Sequence, residues 1–320
     1  MELKSLIEIT RPHNCLMGAL TCVIGVLATD RVYSLNLAGL PPSTLLSKLG
    51  VPFPSRLYEI LVLTYLIYVF IAAAGNIIND IYDIEVDKVN KPGRPLPRGA
   101  LTLRQAKALT LTLWLVGGAL AFAISLIAGI MAMVFAAFGY VYAARVKALG
   151  PIGNIAVASS FSFGMFFGSI VAAESRNEFI LISGEALLFF PTVIWVYFLT
   201  ATFVLFGREV IKGIEDLRGD KLRSVKTIAR RYGTGTAAKV AAASNSFGIL
   251  FFSLSWLMDG AKMIPLPLVV LGSLVVLGSS LIALSRHGAP KALKRASLLD
   301  KIGGFCGLVE FLLVNILYYL

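Results

Sequence analysis

Oxygen-bearing side chains recur on one register in "NIINDIYDIEVDKVNKPGRPLPRG", residues 76–99. On a helix turning about 100° per residue, with Asp83 at zero, Asn79 falls at roughly −40°, Asn76 at +20°, Asp87 at +40° and Asp80 at +60°. These five share one stripe, and Glu85, at about 200°, faces away from it. A second acidic stretch, "REVIKGIEDLRGD" at 208–220, sets Lys212, Asp216 and Asp220 at i, i+4 and i+8, with Glu209 near the same face and Glu215 off it. Carboxylate and amide oxygens without His or Cys suit a hard cation, and Mg²⁺ is the usual one where phosphate completes the shell. Asp80, Asp83, Asp87, Asp216 and Asp220 are the candidate metal ligands. Two facing stripes of this kind can hold two or three ions and clamp a diphosphate between them. His13 and His287 are the only histidines, too few for a His-based metal site. Cys15, Cys22 and Cys306 lie in apolar segments without paired spacing and read as core residues.

The elements that must hold these stripes are membrane helices. The chain of 320 residues is 57% hydrophobic and 15% charged, where a soluble domain carries about 25% charge. Apolar runs long enough to cross a bilayer recur along it. The expectation is an all-α polytopic membrane protein of nine transmembrane helices, near 14–29, 58–81, 106–127, 129–143, 152–173, 187–210, 236–258, 264–284 and 302–319. We expect one domain over 1–320, with loops about 82–105 and 211–235 capping one end. The segment before the first span carries both signs of charge and no cleavage pattern, unlike a signal peptide. The net charge of +11 is laid out as topology rather than as a nucleic-acid surface. All Lys and Arg except Arg31, Lys48, Arg56, Arg176 and Lys262 fall on the side holding both acidic stripes. By the positive-inside rule that side, with the N-terminus, is cytoplasmic, and the C-terminus is external. The long connection at 30–57 lies on the external side and receives no function.

"NDIYDIEVDKVNKPGRPLPRG" resembles the first Asp-rich signature of the UbiA-type intramembrane prenyltransferases, and "REVIKGIEDLRGD" resembles their second. The resemblance extends through "RPHNCLMG" near the start and "YAARVKALGPIGN" after the fourth span. It implies a helical bundle with a polar central cavity beneath cytoplasmic cap loops, and Mg²⁺-dependent transfer of a prenyl group from its diphosphate. It also implies that Asn79, Asp83 and Asp87 hold metal or diphosphate, that Asp216 and Asp220 supply the opposite jaw, and that Asn14 faces the diphosphate; Asn76, on the same stripe, is a further candidate for substrate binding. Tyr142, Arg145 and Lys147 match a Tyr-x-x-basic-x-Lys pattern. Tyr142 would hydrogen-bond the diphosphate or shield an allyl cation, and the two basic residues, with Lys212, would offset its charge. Membrane-interface anchoring is the alternative for Arg145 and Lys147, as helix capping is for Asn14. Gly213 stands where relatives often carry Asp, and Arg98 where many carry a small residue.

The donor tail needs an apolar groove, for which "FSFGMFFGS" (161–169) and "FFPTVIWVYFL" (189–199) are candidates; Gly164 and Gly168 read as helix packing. For the acceptor, the motifs are most similar to the branch that prenylates the hydroxyl of a lipid-like glycerol phosphate ether. An aromatic acid of quinone synthesis is the alternative. A phosphorylated acceptor needs cations beyond the diphosphate site, and Arg94, Arg98, Arg223 and Lys226 could supply them or simply solvate the loops. A cation transporter would place carboxylates mid-membrane on several helices, yet the interiors of spans three, four, seven and eight hold none. Membrane lipids are the expected surroundings, and the sequence leaves oligomeric state open.

Overall fold

The computed structural model describes residues 3–37, 55–175, 190–215, 217 and 227–319. Among them every regular element is helical: α1 (Leu3–Thr10), α2 (Pro12–Leu37), α3 (Ser55–Tyr82), α4 (Ile84–Asn90), α5 (Leu103–Ile124), α6 (Leu126–Ala144), α7 (Pro151–Ser162), α8 (Gly164–Ser175), α9 (Thr192–Glu215), α10 (Ile228–Tyr232), α11 (Thr234–Met258), α12 (Leu266–Ser285) and α13 (Pro290–Ile316). Eight segments, with α7 and α8 counted together, are long and apolar enough to cross a membrane. The count of nine therefore holds only if α13 is added. That helix has the length, at 27 residues, but it starts at Pro290 rather than near 302 and carries Asp300 and Glu310 inward.

Outward faces show what surrounds the bundle. Leu274, Leu277, Leu281 and Leu284 form an exposed stripe on α12, as do Leu111 and Leu115 on α5. Water would not tolerate apolar patches of that extent on a monomer, whereas lipid tails solvate them. The protein is an integral membrane protein. Successive spans pack in order from α2 to α3, α5 and α6, then from α7 through α9, α11 and α12 to α13, which returns against both α9 and α2. The ring so closed surrounds the functional cavity.

Two local signals shape the walls. Ser125, in extended conformation, separates α5 from α6 and accepts a hydrogen bond from the Ala128 amide at 3.0 Å, so the turn lies there and not near 128. The fifth span, expected as one helix, breaks at Phe163 into α7 and α8. At the break α8 drives into α2: a Cβ on Gly168 would sit 2.1 Å from the Cys22 carbonyl oxygen, and one on Gly25 would sit 2.1 Å from that of Met165. The Gly164/Gly168 pair thus packs as read from sequence.

The first span also runs further than expected, through the start of the anticipated external loop to Leu37. The reason is a buried polar network at the end of the bundle remote from the Asp-rich stretches. Arg31 pairs with Asp259 at 2.6 Å, with side chains 4% and 2% exposed. Asp259 also accepts from the Tyr197 hydroxyl at 2.7 Å, and Asp30 accepts from Tyr319 at 2.5 Å. These partners let α2 carry two charges past the point where an unpaired charge would end an apolar helix. At the other end α1 is tied down by Arg98, whose guanidinium binds Glu8 at 2.8 Å and holds that carboxyl below its ordinary range.

Removing one member of a buried pair strands the other. Asp259→Ala is expected to destabilise the fold by about 3–5 kcal/mol. Thermal unfolding in detergent checks this, and an unchanged midpoint would show the pair to be dispensable.

Candidate active site

The Asp-rich segment sits at the junction of α3 and α4. The joint barely interrupts the helix, because the Asp83 amide still bonds the Asn79 carbonyl at 3.0 Å and the Asp87 amide bonds that of Asp83 at 2.8 Å. The angular register therefore survives across it. Asp80, Asp83 and Asp87 are 3%, 8% and 2% exposed, whereas the Glu85 side chain is 81% exposed and pairs only with Lys88 among the described residues.

A cavity of about 460 Å³ opens at this stripe, with Asn76, Asn79, Asp83 and Asp87 in its wall. Each carboxylate already meets a cation. Lys147, in the tight turn after α6, bonds Asp83 at 2.5 Å, and Arg94, in the loop after α4, bonds Asp87. Asp80 lies outside the lining of this cavity and is held from two sides, by Arg11 and by Arg94 at 3.0 Å. One acidic side chain thereby fixes two arginines of the mouth. The Asn79 side-chain Oδ1 is buried with no hydrogen-bond partner. An orphaned acceptor beside two carboxylates, all of them hard oxygen donors, fits a divalent cation of the Mg²⁺ type.

The other expected residues divide by position. Asn14, Asn76, Asn79 and Tyr142 line both this cavity and a second one of about 220 Å³. Asn76 also ties the end of α1 to α3 by donating to the Thr10 carbonyl at 3.0 Å. Lys212 lies in the wall from α9, 3.5 Å from Glu209. Arg145 caps α6 at the surface and Arg98 is engaged with α1, so neither lines a cavity. Asp216, Asp220, Arg223 and Lys226 lie outside the described residues.

Sequence reasoning missed several wall residues. Arg11, Lys91 and Arg208 flank the motifs, and the first is the residue that opens "RPHN"; Glu209, read from sequence as near the second stripe, also lines the wall. Arg11 takes a positive φ of 52° between α1 and α2, which turns its side chain back to Asp80. Asp300 and Lys301 enter the wall from α13, and Asn154 from α7. A carboxylate at the edge of the last apolar run was the available signal for Asp300.

Fold and site together describe an intramembrane enzyme that takes a charged head at an acidic, cation-rimmed mouth and an apolar chain in the bundle below. The chain belongs to the UbiA prenyltransferase family, whose model matches residues 37–299. It is a prenyltransferase, which disposes of the transporter reading. It is 30% identical over 319 residues to a curated digeranylgeranylglyceryl phosphate synthase of Saccharolobus solfataricus, covering 100% of this chain and 99% of the relative. A solved structure described as digeranylgeranylglyceryl phosphate synthase in membranes is 25% identical, with a TM-score of 0.68 and 98% of each chain covered. The fold is shared by a UbiA homolog from Archaeoglobus fulgidus bound to GPP and Mg²⁺, at 17% identity and a TM-score of 0.55 over 96% of this chain and 99% of that one.

The contrast between stripe and off-stripe residues is testable. Asn79→Ala should lower prenyl transfer by at least about tenfold, equivalent to some 1.4 kcal/mol, while Glu85→Gln should leave the rate essentially unchanged. Steady-state rates with radiolabelled prenyl diphosphate check both, and equal losses in the two variants would contradict the register.

Proposed function

We propose that this protein transfers a geranylgeranyl group from geranylgeranyl diphosphate to the free hydroxyl of geranylgeranylglyceryl phosphate, forming the second ether bond of an archaeal membrane lipid. The observation that carries the reading is a mouth of paired carboxylates and cations that leads into a larger cavity with apolar lower walls and a smaller, mostly apolar one. It is supported by full-length similarity to the synthase of Saccharolobus solfataricus.

Asn79, Asp83 and Asp87, with Asp216 and Asp220 of the second motif, would hold the diphosphate through two or three Mg²⁺ ions. Bound Mg²⁺ supplies Lewis-acid neutralisation of the charge that develops on the leaving diphosphate. Lys147 and Arg94 exchange their carboxylate partners for diphosphate oxygens as the head enters, and Lys212 and Asn14 approach it from α9 and α2. Asp80 acts beside them by holding Arg11 and Arg94 in place. Tyr142, at the junction of the two cavities, places its ring or hydroxyl beside the reacting carbon. The C1–O bond to diphosphate breaks and the acceptor's hydroxyl oxygen bonds to C1. Its proton leaves to solvent or to the departing diphosphate. Because an allylic cation is electrophilic, no strong general base is required. Arg223 and Lys226 of the second cap loop are further proposed cations for the acceptor's phosphate. The basic excess around this end supports a cytoplasmic mouth with the N-terminus on the same side and the C-terminus external.

Three measurements bear on the reading. Purified protein given geranylgeranyl diphosphate with either geranylgeranylglyceryl phosphate or 4-hydroxybenzoate should prenylate only the former; product from the aromatic acid alone would replace the proposal with quinone-type chemistry. Asp83→Ala and Asp216→Ala should each abolish turnover while the protein still folds and inserts. Chelation should abolish transfer and added Mg²⁺ restore it, so persistence in excess chelator would exclude the metal clamp.

A further inference from the structure

The two cavities are not equivalent. They share six wall residues, Asn14, Asn76, Asn79, Tyr142, Val157 and Phe161, and diverge from there. The smaller continues the Asp-rich stripe down α3 through Asn76, Gly75, Ile71 and Ile67, and down α6 from Tyr142 through Phe138 and Phe135. Its lining is almost wholly apolar. A donor gripped at Asp83 and Asp87 would lay its chain along the same face of the same helix.

The larger cavity has a second arm, walled by α9, α11, α12 and α13. At its head stand Arg208, Asp300 and Lys301. Lys301 makes no hydrogen bond or ion pair among the described residues. It lies within electrostatic range of His13, as does Arg11, which places it where α2 meets α13 beside the mouth. Asp300 is 1% exposed; its Oδ1 accepts from Asn245 at 3.0 Å, while Oδ2 has no partner. Arg208 likewise leaves its buried Nε unpaired. Below this head the lining turns apolar through Gly304, Gly307, Phe252 and Phe311. From Lys301 to Phe311 the α13 wall descends about 15 Å at 1.5 Å per residue. An anionic head carrying a hydroxyl, followed by a long hydrocarbon chain, complements this sequence of surfaces.

The geometry points to a division of the two prenyl chains. The α3–α6 cavity takes the donor's chain, and the α9–α11–α12–α13 arm is the acceptor site, with Lys301 and Arg208 on the phosphate, Asp300 toward the hydroxyl and the acceptor's chain along Gly304 and Gly307. This rests on the glycerol phosphate acceptor proposed above. Charge at the head and a tail below explain why the arm begins with three charged residues, whereas the donor cavity, whose head group is served by the Asp-rich mouth, needs none of its own.

Two glycines make the division testable. A Cβ added at Gly75 or at Gly304 would meet no atom within 4 Å, so a larger side chain there fills cavity and spares backbone. Gly304→Phe should raise KM for geranylgeranylglyceryl phosphate by about tenfold or more and leave that for geranylgeranyl diphosphate unchanged; Gly75→Phe should do the reverse. An acceptor with a shortened alkyl chain should escape the Gly304→Phe effect. Lys301→Gln should raise only the acceptor KM, and Lys301→Arg should restore it. If Gly304→Phe does not fold, Gly307→Val reads the same arm. Donor and acceptor effects appearing on the opposite variants, or moving together in each, would overturn the division. Should the parent enzyme use only an aromatic acid, the acceptor reading fails first, and the effect of Gly75→Phe on the donor KM still decides the donor half.

Discussion

Charge in an apolar chain has to be answered within a few ångströms, and this requirement organises the molecule. An ionised carboxylate moved into hydrocarbon without a partner costs several kcal/mol. Here the buried acids gather at the two ends of the bundle and in one wall. At the mouth Asp80 meets Arg11 and Arg94, Asp83 meets Lys147 and Asp87 meets Arg94. At the far end Asp259 meets Arg31, and Asp30 meets Tyr319. In the proposed function the cations of the first set exchange their carboxylate partners for a diphosphate, which they can reach because they line the open mouth of the cavity. The second set, in which Tyr197 shares Asp259 with Arg31, fastens α2, α9 and α11 together.

Between those ends the ring of helices leaves room for long apolar chains. The closure of α13 against α2 and α9 makes that helix a wall of the cavity rather than a tail appended to eight spans. In the proposed division its charged first turns and its late apolar stretch serve different parts of one ligand. The same logic shapes α3, whose lower face is greasy and whose last turns carry amides and then carboxylates. A lipid with a charged head is matched lengthwise by single helices, each graded from polar to apolar along its axis.

Much of this was legible in the residues. The 100° rule set Glu85 apart from its neighbours, and the near-continuous hydrogen bonding across Asp83 is why the rule held. The membrane class followed from composition, and the Asp-rich signatures carried the family. What could not be read were pairings between residues far apart in the chain. Arg11 and Asp80 are 69 positions apart, and Arg31 and Asp259 are 228 apart. Those pairings assign Asp80 to its arginines and carry α2 beyond its expected end. The break at Phe163 escaped notice because no proline marks it; it arises from the approach of α8 to α2. Asp300 and Lys301 were passed over because they precede the apolar run by which the last helix was recognised.

The contact of Gly25 and Gly168 with opposing carbonyls has an evolutionary corollary. Along that seam backbone touches backbone, so even a methyl group has nowhere to go. A survey of tolerated substitutions would find two forbidden regions, one around the acidic mouth and one along α2 and α8, and an inactivity screen would score them alike. Only the first concerns chemistry. Invariance among descendants of this chain is therefore ambiguous by itself, and at a glycine in α2 or α8 it records the thickness of a seam rather than the identity of a substrate.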